Sequence, residues 1–114
     1  MSDILAQLDA VISSRIAEAD PSSSYVAKLH HSGLDRILKK LGEESAETII
    51  AAKNAAQSED KQELIGECAD LIFHMLVMLA HTGLNSTDVS AELARRFNIS
   101  GLTEKAARPV SDKI

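Results

Sequence analysis

Four carboxylates in this chain fall into two pairs with the same spacing. Glu44 and Glu47 close the pattern Glu43-Glu44-x-x-Glu47, and Glu67 and Asp70 repeat the three-residue step. On a helix, residues three apart lie one turn above each other on one face, so each pair offers hard oxygen donors in a single direction. Two such pairs on neighbouring helices would ring a cavity with four carboxylates. Anions about 6 Å apart repel by about 3 kcal/mol at an effective dielectric near 20, so a cation between them is expected. An oxygen-only set suits Mg²⁺, with Mn²⁺ as its substitute, better than zinc, which favours Cys and His. A ferritin-type di-iron site needs Glu-x-x-His, and here the slot after Glu67 holds Asp70, which disfavours iron.

Context separates the two pairs. Between Leu64 and Ala80 the strongly polar residues are Glu67, Asp70 and His74, and a helix gathers them into an arc of roughly 60°. A helix apolar around most of its circumference belongs in a core or between subunits, which makes a merely solvated acidic stripe hard to sustain. The Glu43 to Glu47 run fits an ordinary solvated face as well as a metal site, with Lys39 and Lys40 as partners three or four residues away. For Glu67 and Asp70 the competing reading is a structural salt bridge. His74 is expected to be a hydrogen-bonded core histidine or an orienting group rather than a metal ligand. Met75 and Met78 read as core filling and Cys68 as inert. Phosphate also calls for cations, and Lys28, Arg36, Lys39 and Lys40 precede the Glu cluster, with Arg36 and Lys40 on its side of the helix. Arg95, Arg96, Lys105 and Arg108 form a second basic group, read as solvated charge or as groups reaching a site across a dimer.

The elements that would carry these residues are helices. Ile4, Leu5, Leu8, Val11, Ile12 and Ile16 recur at three- and four-residue steps and predict a helix from Asp3 to Ala19, ending before Pro21. The serines 22–24 offer N-caps for a short helix through Tyr25, Val26 and Leu29, closed by Gly33 in a left-handed conformation. A long helix is expected from about Leu34 to Ala56, with Leu34, Ile37, Leu38, Leu41, Ile49 and Ala52 on one broad face. Gly42 inside it points to close approach of a helix or a ligand. Residues 57–61 read as a turn, with Ser58 or Asp60 capping a second long helix from Lys61 to His81 that Gly83 ends. Asn85 or Ser86 caps a last short helix carrying Val89, Leu93 and Phe97, stopped at Gly101, before a polar tail.

Composition agrees. The 114 residues are 45% hydrophobic but only 3% aromatic, without Trp, so the core is built from helix-forming aliphatics. A net charge of −5 argues against a nucleic-acid partner, which needs a basic surface. The five glycines are dispersed, so no Gly-rich phosphate loop is present. One cysteine, no basic leader, and an apolar run from Leu71 to Ala80 broken by His74 make the expected compartment the cytoplasm, with no membrane span. One domain over residues 1–114 is expected, with a core from about 3 to 108 and a polar tail over 109–114. The apolar surface of the Leu64 to Ala80 helix predicts a homodimer or higher homo-oligomer.

The run Arg36-Ile-Leu-Lys-Lys-Leu-Gly42-Glu-Glu-Ser-Ala-Glu47, followed by Glu67-Cys-Ala-Asp70-Leu-Ile-Phe-His74, closely resembles the phosphoribosyl-ATP pyrophosphatases of histidine biosynthesis. Ser24-Tyr25 with Leu29, the Gly33 to Asp35 approach and the Ser100 to Arg108 segment resemble that family too. The resemblance implies an all-α antiparallel helix bundle of the MazG-like nucleotide pyrophosphatase type, assembled as a homodimer. It also implies Mg²⁺-dependent hydrolysis of 1-(5-phosphoribosyl)-ATP to 1-(5-phosphoribosyl)-AMP and pyrophosphate, the second step of the pathway. On that reading Glu44, Glu47, Glu67 and Asp70 hold metal, and Glu43 orients water or sits behind the ligands. Lys40 assists at the phosphates, with Lys39, Arg36, Lys28 and His74 as the substrate-binding set. Cys68 and Phe73 depart from the family, which often has Ala and Tyr there, so any contact made by that Tyr hydroxyl is missing here. Two rivals remain: a house-cleaning pyrophosphatase acting on dUTP or non-standard nucleoside triphosphates, and a non-catalytic helical dimer with interhelical salt bridges.

Overall fold

The computed structural model describes residues 2–18 and 20–98. These form five helices and no strand: α1 (Ser2–Ile16), α2 (Tyr25–Ser32), α3 (Leu34–Ala55), α4 (Gln62–His81) and α5 (Ser86–Phe97). The all-α expectation is met. The boundaries have local causes. α1 ends at Ile16, short of Ala19, and the chain then turns at Asp20, whose carboxylate accepts from the Ser22 amide at 2.9 Å and hydroxyl at 2.7 Å. Ser24 caps α2, its hydroxyl accepting the Ala27 amide at 3.0 Å. Gly33 (φ +99°, ψ 171°) ends α2 and begins α3 in one residue. Its φ is positive, as expected, but its ψ is extended rather than left-handed helical, a combination glycine adopts readily.

The ends of the two long helices are joined chemically. Lys61 places its ammonium on the carbonyl oxygens of Ala55 and Ser58, complementing the C-terminal dipole of α3. Lys61 itself is the N-cap of α4 and makes no side-chain cap bond; Asp60 takes the Gln62 amide at 2.9 Å instead. At the other end Gly83 (φ +85°) and Leu84 return their amides to Ala80 and Leu79 in a Schellman arrangement. Asn85 and Asp88 build a capping box at α5. That helix stops at Asn98, which adopts the left-handed conformation (φ 55°, ψ 44°), three residues before the expected stop. Gly101, Lys105, Arg108 and the tail lie outside the described residues.

α3 and α4 run antiparallel, since Thr48 meets Glu67 while Ala55 meets Lys61. Ile12, Val26, Leu29, Ile37, Leu76, Val77 and Leu79 form the core, with Leu5, Leu8, Ile16, Phe73, Met78 and Ala80 packed on it. It lies where α1 and α2 cover the start of α3 and the end of α4. The remainder of the α3–α4 hairpin extends past that core, and the described chain measures 50 × 37 × 23 Å. Several expected core residues stay in the open: Ile4, Val11, Leu34, Leu38 and Ile49 are exposed, and Met75 faces a groove rather than filling the core. A Cβ at Gly42 would meet nothing within 4 Å, so among the described residues no helix approaches closely there. By length and apolar composition α4 would reach across a bilayer, contrary to the reading of its shorter Leu71 to Ala80 run. Here it packs along α3 and carries Glu63, Glu67 and Asp70.

Candidate active site

The two acidic motifs face each other because they sit at matching heights of an antiparallel hairpin. Thr48, one turn beyond Glu44, pins that register: its hydroxyl donates to the Glu44 carbonyl at 2.8 Å and to the Glu67 carbonyl of α4 at 3.2 Å. One carboxylate oxygen each from Glu44, Glu67 and Asp70 then lies within 4.8 Å of the others. Glu44 is only 7% exposed, Glu67 is half-buried and Asp70 is open to solvent.

Two carboxylate oxygens on these residues are anomalous for a folded protein. Oε1 of Glu44 and Oε1 of Glu67 are shielded from solvent and have no hydrogen-bond partner. Buried acceptors are nearly always satisfied, and a buried anion without a partner is costly. Burial lifts the pKa of Glu44, Glu47 and Asp70 add to the rise, and His74 and Lys40 oppose it. Burial likewise raises that of Glu67, followed by the charges of Glu47, Asp70 and Glu44. A divalent cation would relieve both burdens at once, and an all-carboxylate donor set fits Mg²⁺ or Mn²⁺.

Glu47 stands beside the three, close enough to act on Glu44 and Glu67, but outside the set within 4.8 Å. Glu43 is exposed and pairs with Lys40, Oε1 to Nζ at 3.4 Å. Arg36, Lys39 and Lys28 are exposed. Lys40 and Arg36 act electrostatically on Tyr25 at the rim of the acidic cluster; among the described residues no side-chain bond or ion pair joins Lys28 or Lys39 to it. Arg95 and Arg96 both grip Glu92, at 2.5 and 2.9 Å, and hold its carboxyl down at about 2.

The family profile of phosphoribosyl-ATP pyrophosphohydrolases matches residues 5–97. The chain belongs to that family. Similarity extends over nearly the whole length: a phosphoribosyl-ATP pyrophosphatase from Hydrogenovibrio crunogenus (strain DSM 25203 / XCL-2) is 50% identical over 111 residues, 97% of each chain.

In this phosphoribosyl-ATP pyrophosphohydrolase family member, His74 is buried and both its ring nitrogens are engaged, Nδ1 with the Asp70 carbonyl and Nε2 with the Tyr25 hydroxyl, each at 2.8 Å. The ring is thus tied to the backbone of Asp70 on α4 and to the Tyr25 hydroxyl on α2. Sequence reasoning assigned no role to Tyr25 or Thr48. Tyr25 is the only tyrosine in the chain, and Thr48 sits one turn after Glu44; those were the available signals.

Proposed function

We propose that this protein hydrolyses 1-(5-phosphoribosyl)-ATP to 1-(5-phosphoribosyl)-AMP and pyrophosphate, the second step of histidine biosynthesis, as a Mg²⁺-dependent cytoplasmic homodimer. The observation that carries the metal reading is the pair of shielded, unpartnered oxygens on Glu44 and Glu67. Glu44, Glu67 and Asp70 would hold Mg²⁺, with Glu47 completing the set from its neighbouring position on α3. Bound Mg²⁺ would neutralise the triphosphate and stabilise charge on the departing pyrophosphate.

The products require cleavage of the bond between the α- and β-phosphates, with water supplying the oxygen. Glu43, one residue outside the buried set, is exposed to solvent and can orient that water and take its proton. Lys40 lies one turn before Glu44 on the same face and can pair with phosphate oxygens in place of Glu43. Arg36, Lys39 and Lys28 add positive potential along the approach from α2 and α3.

Dimerisation follows from what the chain leaves uncovered. Ile49, Ile50, Ile65 and Ile72 are 65%, 60%, 57% and 44% exposed, all on the α3–α4 hairpin that carries the carboxylates. Apolar side chains this exposed on both helices leave surface for a partner to cover. Incubating the protein with phosphoribosyl-ATP and Mg²⁺ should release pyrophosphate at a rate abolished by chelation, with dUTP turned over far more slowly. Equal turnover of dUTP and none of phosphoribosyl-ATP would replace this reading with the house-cleaning one.

A further inference from the structure

His30 and His81 meet where two helices end. His30 lies in the last turn of α2 and His81 is the last residue of α4, 51 positions away in the chain. Both residues are half-buried, and their Nδ1 atoms stand 2.9 Å apart. In the neutral pair one Nδ1–H donates and the other Nδ1 accepts, and neither Nε2 makes a hydrogen bond among the described residues. The ring centroids are 4.6 Å apart, with the planes at 63°. A collinear N–H···N bond of this length would set the ring centres about 5.2 Å apart, so the two ring axes meet at an angle.

That angle is the one a shared metal ion would ask for. Two nitrogens bound about 2.05 Å from one ion at a right angle stand about 2.9 Å apart, with ring centres about 4.5 Å apart. A tetrahedral angle would widen the two separations to about 3.3 and 5.2 Å. The observed pair matches the right-angled case in both, and right-angled positions with imidazole donors suit Cu²⁺ and Ni²⁺. The C-terminal ends of α2 and α4 both lie here, and the negative ends of their dipoles favour a cation.

We propose that His30 and His81 form a binding site for a tetragonal divalent transition-metal ion, Cu²⁺ or Ni²⁺, separate from the carboxylate site. At about 1.5 Å of rise per residue, His81 lies about 16 Å along α4 from Asp70. Binding takes up both Nδ1 lone pairs, so the bridging proton moves through solvent to Nε2 of its own ring. The neutral pair loses no proton overall, and water fills the remaining positions on the solvent side. The site does not depend on the hydrolytic function proposed above.

The test uses untagged full-length protein at pH 8, with Mg²⁺ at about 10 mM to compete for the carboxylates. Calorimetric titration with Ni²⁺ should show one ion bound per chain. Either His30→Phe or His81→Gln should weaken that binding at least about tenfold, because losing one donor removes the chelate. Cu²⁺ added at one equivalent should give an electron paramagnetic resonance spectrum split by two nitrogens in the parent protein and by at most one in each variant. Copper held by oxygens alone in the parent, or nickel affinity unchanged in either variant, would overturn the assignment. If neither variant folds, the copper spectrum of the parent decides by itself.

Discussion

Replacing Glu44 with Gln should make the metal-free protein more stable and the magnesium-loaded protein less so. Glu44 is 7% exposed, and its carboxylate lies within 4.8 Å of that of Asp70. Two unit charges at about that distance interact by about 3 kcal/mol at an effective dielectric near 20. Solvent screening at the exposed Asp70 reduces this to about 1–2 kcal/mol. Glutamine keeps the shape, removes the charge and supplies an amide that can donate to a neighbouring carboxylate. In excess chelator, denaturant unfolding at pH 8 and fixed protein concentration should therefore show the variant ahead by about 1–2 kcal/mol, or roughly 4–8 °C in melting temperature. Magnesium reverses the order. At a hundredfold excess over Kd, a ligand that binds only the folded state adds about 2.7 kcal/mol, and the parent protein should gain it while the variant gains little. A variant less stable than its parent in chelator, or one stabilised equally by magnesium, would refute the claim that these carboxylates converge on a cation.

Asp70→Asn should abolish pyrophosphate release while leaving the helical circular dichroism unchanged, because one anionic ligand is lost without a cavity; near-normal turnover would remove Asp70 from the site. The pH dependence in chelator has a defined sign. Glu44 and Glu67 have folded-state pKa values above the ordinary 4.5, so the folded state holds extra protons and the stability they contribute falls as pH rises from 4.5 through those raised values. Denaturant midpoints measured from pH 4.5 to 8 should show that decline, and magnesium should flatten it. Ile50→Asp, placing charge on a side chain 60% exposed on the hairpin, should turn a sedimenting dimer into a monomer at micromolar concentration; an unchanged coefficient would move the interface elsewhere. Ser86→Ala should cost about 1 kcal/mol by breaking the bond from the Ser86 hydroxyl to Asp9 that staples α5 to α1, read as a lower melting temperature with unaltered kcat.

The helices, their order and their spacing were legible because helical periodicity is local. The stripe Ile4 to Ile16, the caps at Ser24 and Asn85, and the break at Gly83 each depend on residues a few positions apart. The carboxylate spacing was legible for the same reason, since two residues three apart share a helix face whatever the helix packs against. Errors came where the decisive partner was remote or absent. Periodicity assigned Leu34, Leu38 and Ile49 to a buried face, but on α3 only Ile37 joins the main core cluster, and these three stay exposed. Gly101 looked like the stop of α5, yet Asn98 could adopt the left-handed turn sooner.

The tertiary structure decided which oxygens meet. Spacing could not tell that Glu44 would be buried while Glu43, its neighbour in the same motif, pairs with Lys40 in the open. It depends on the register between α3 and α4 that Thr48 pins to Glu67. Nor could it join Tyr25 to His74 across 49 residues of chain. A side chain's direction around its own helix follows from about 100° per residue, whereas what that direction points at depends on how separate helices dock, and docking is fixed by contacts between residues far apart in the chain.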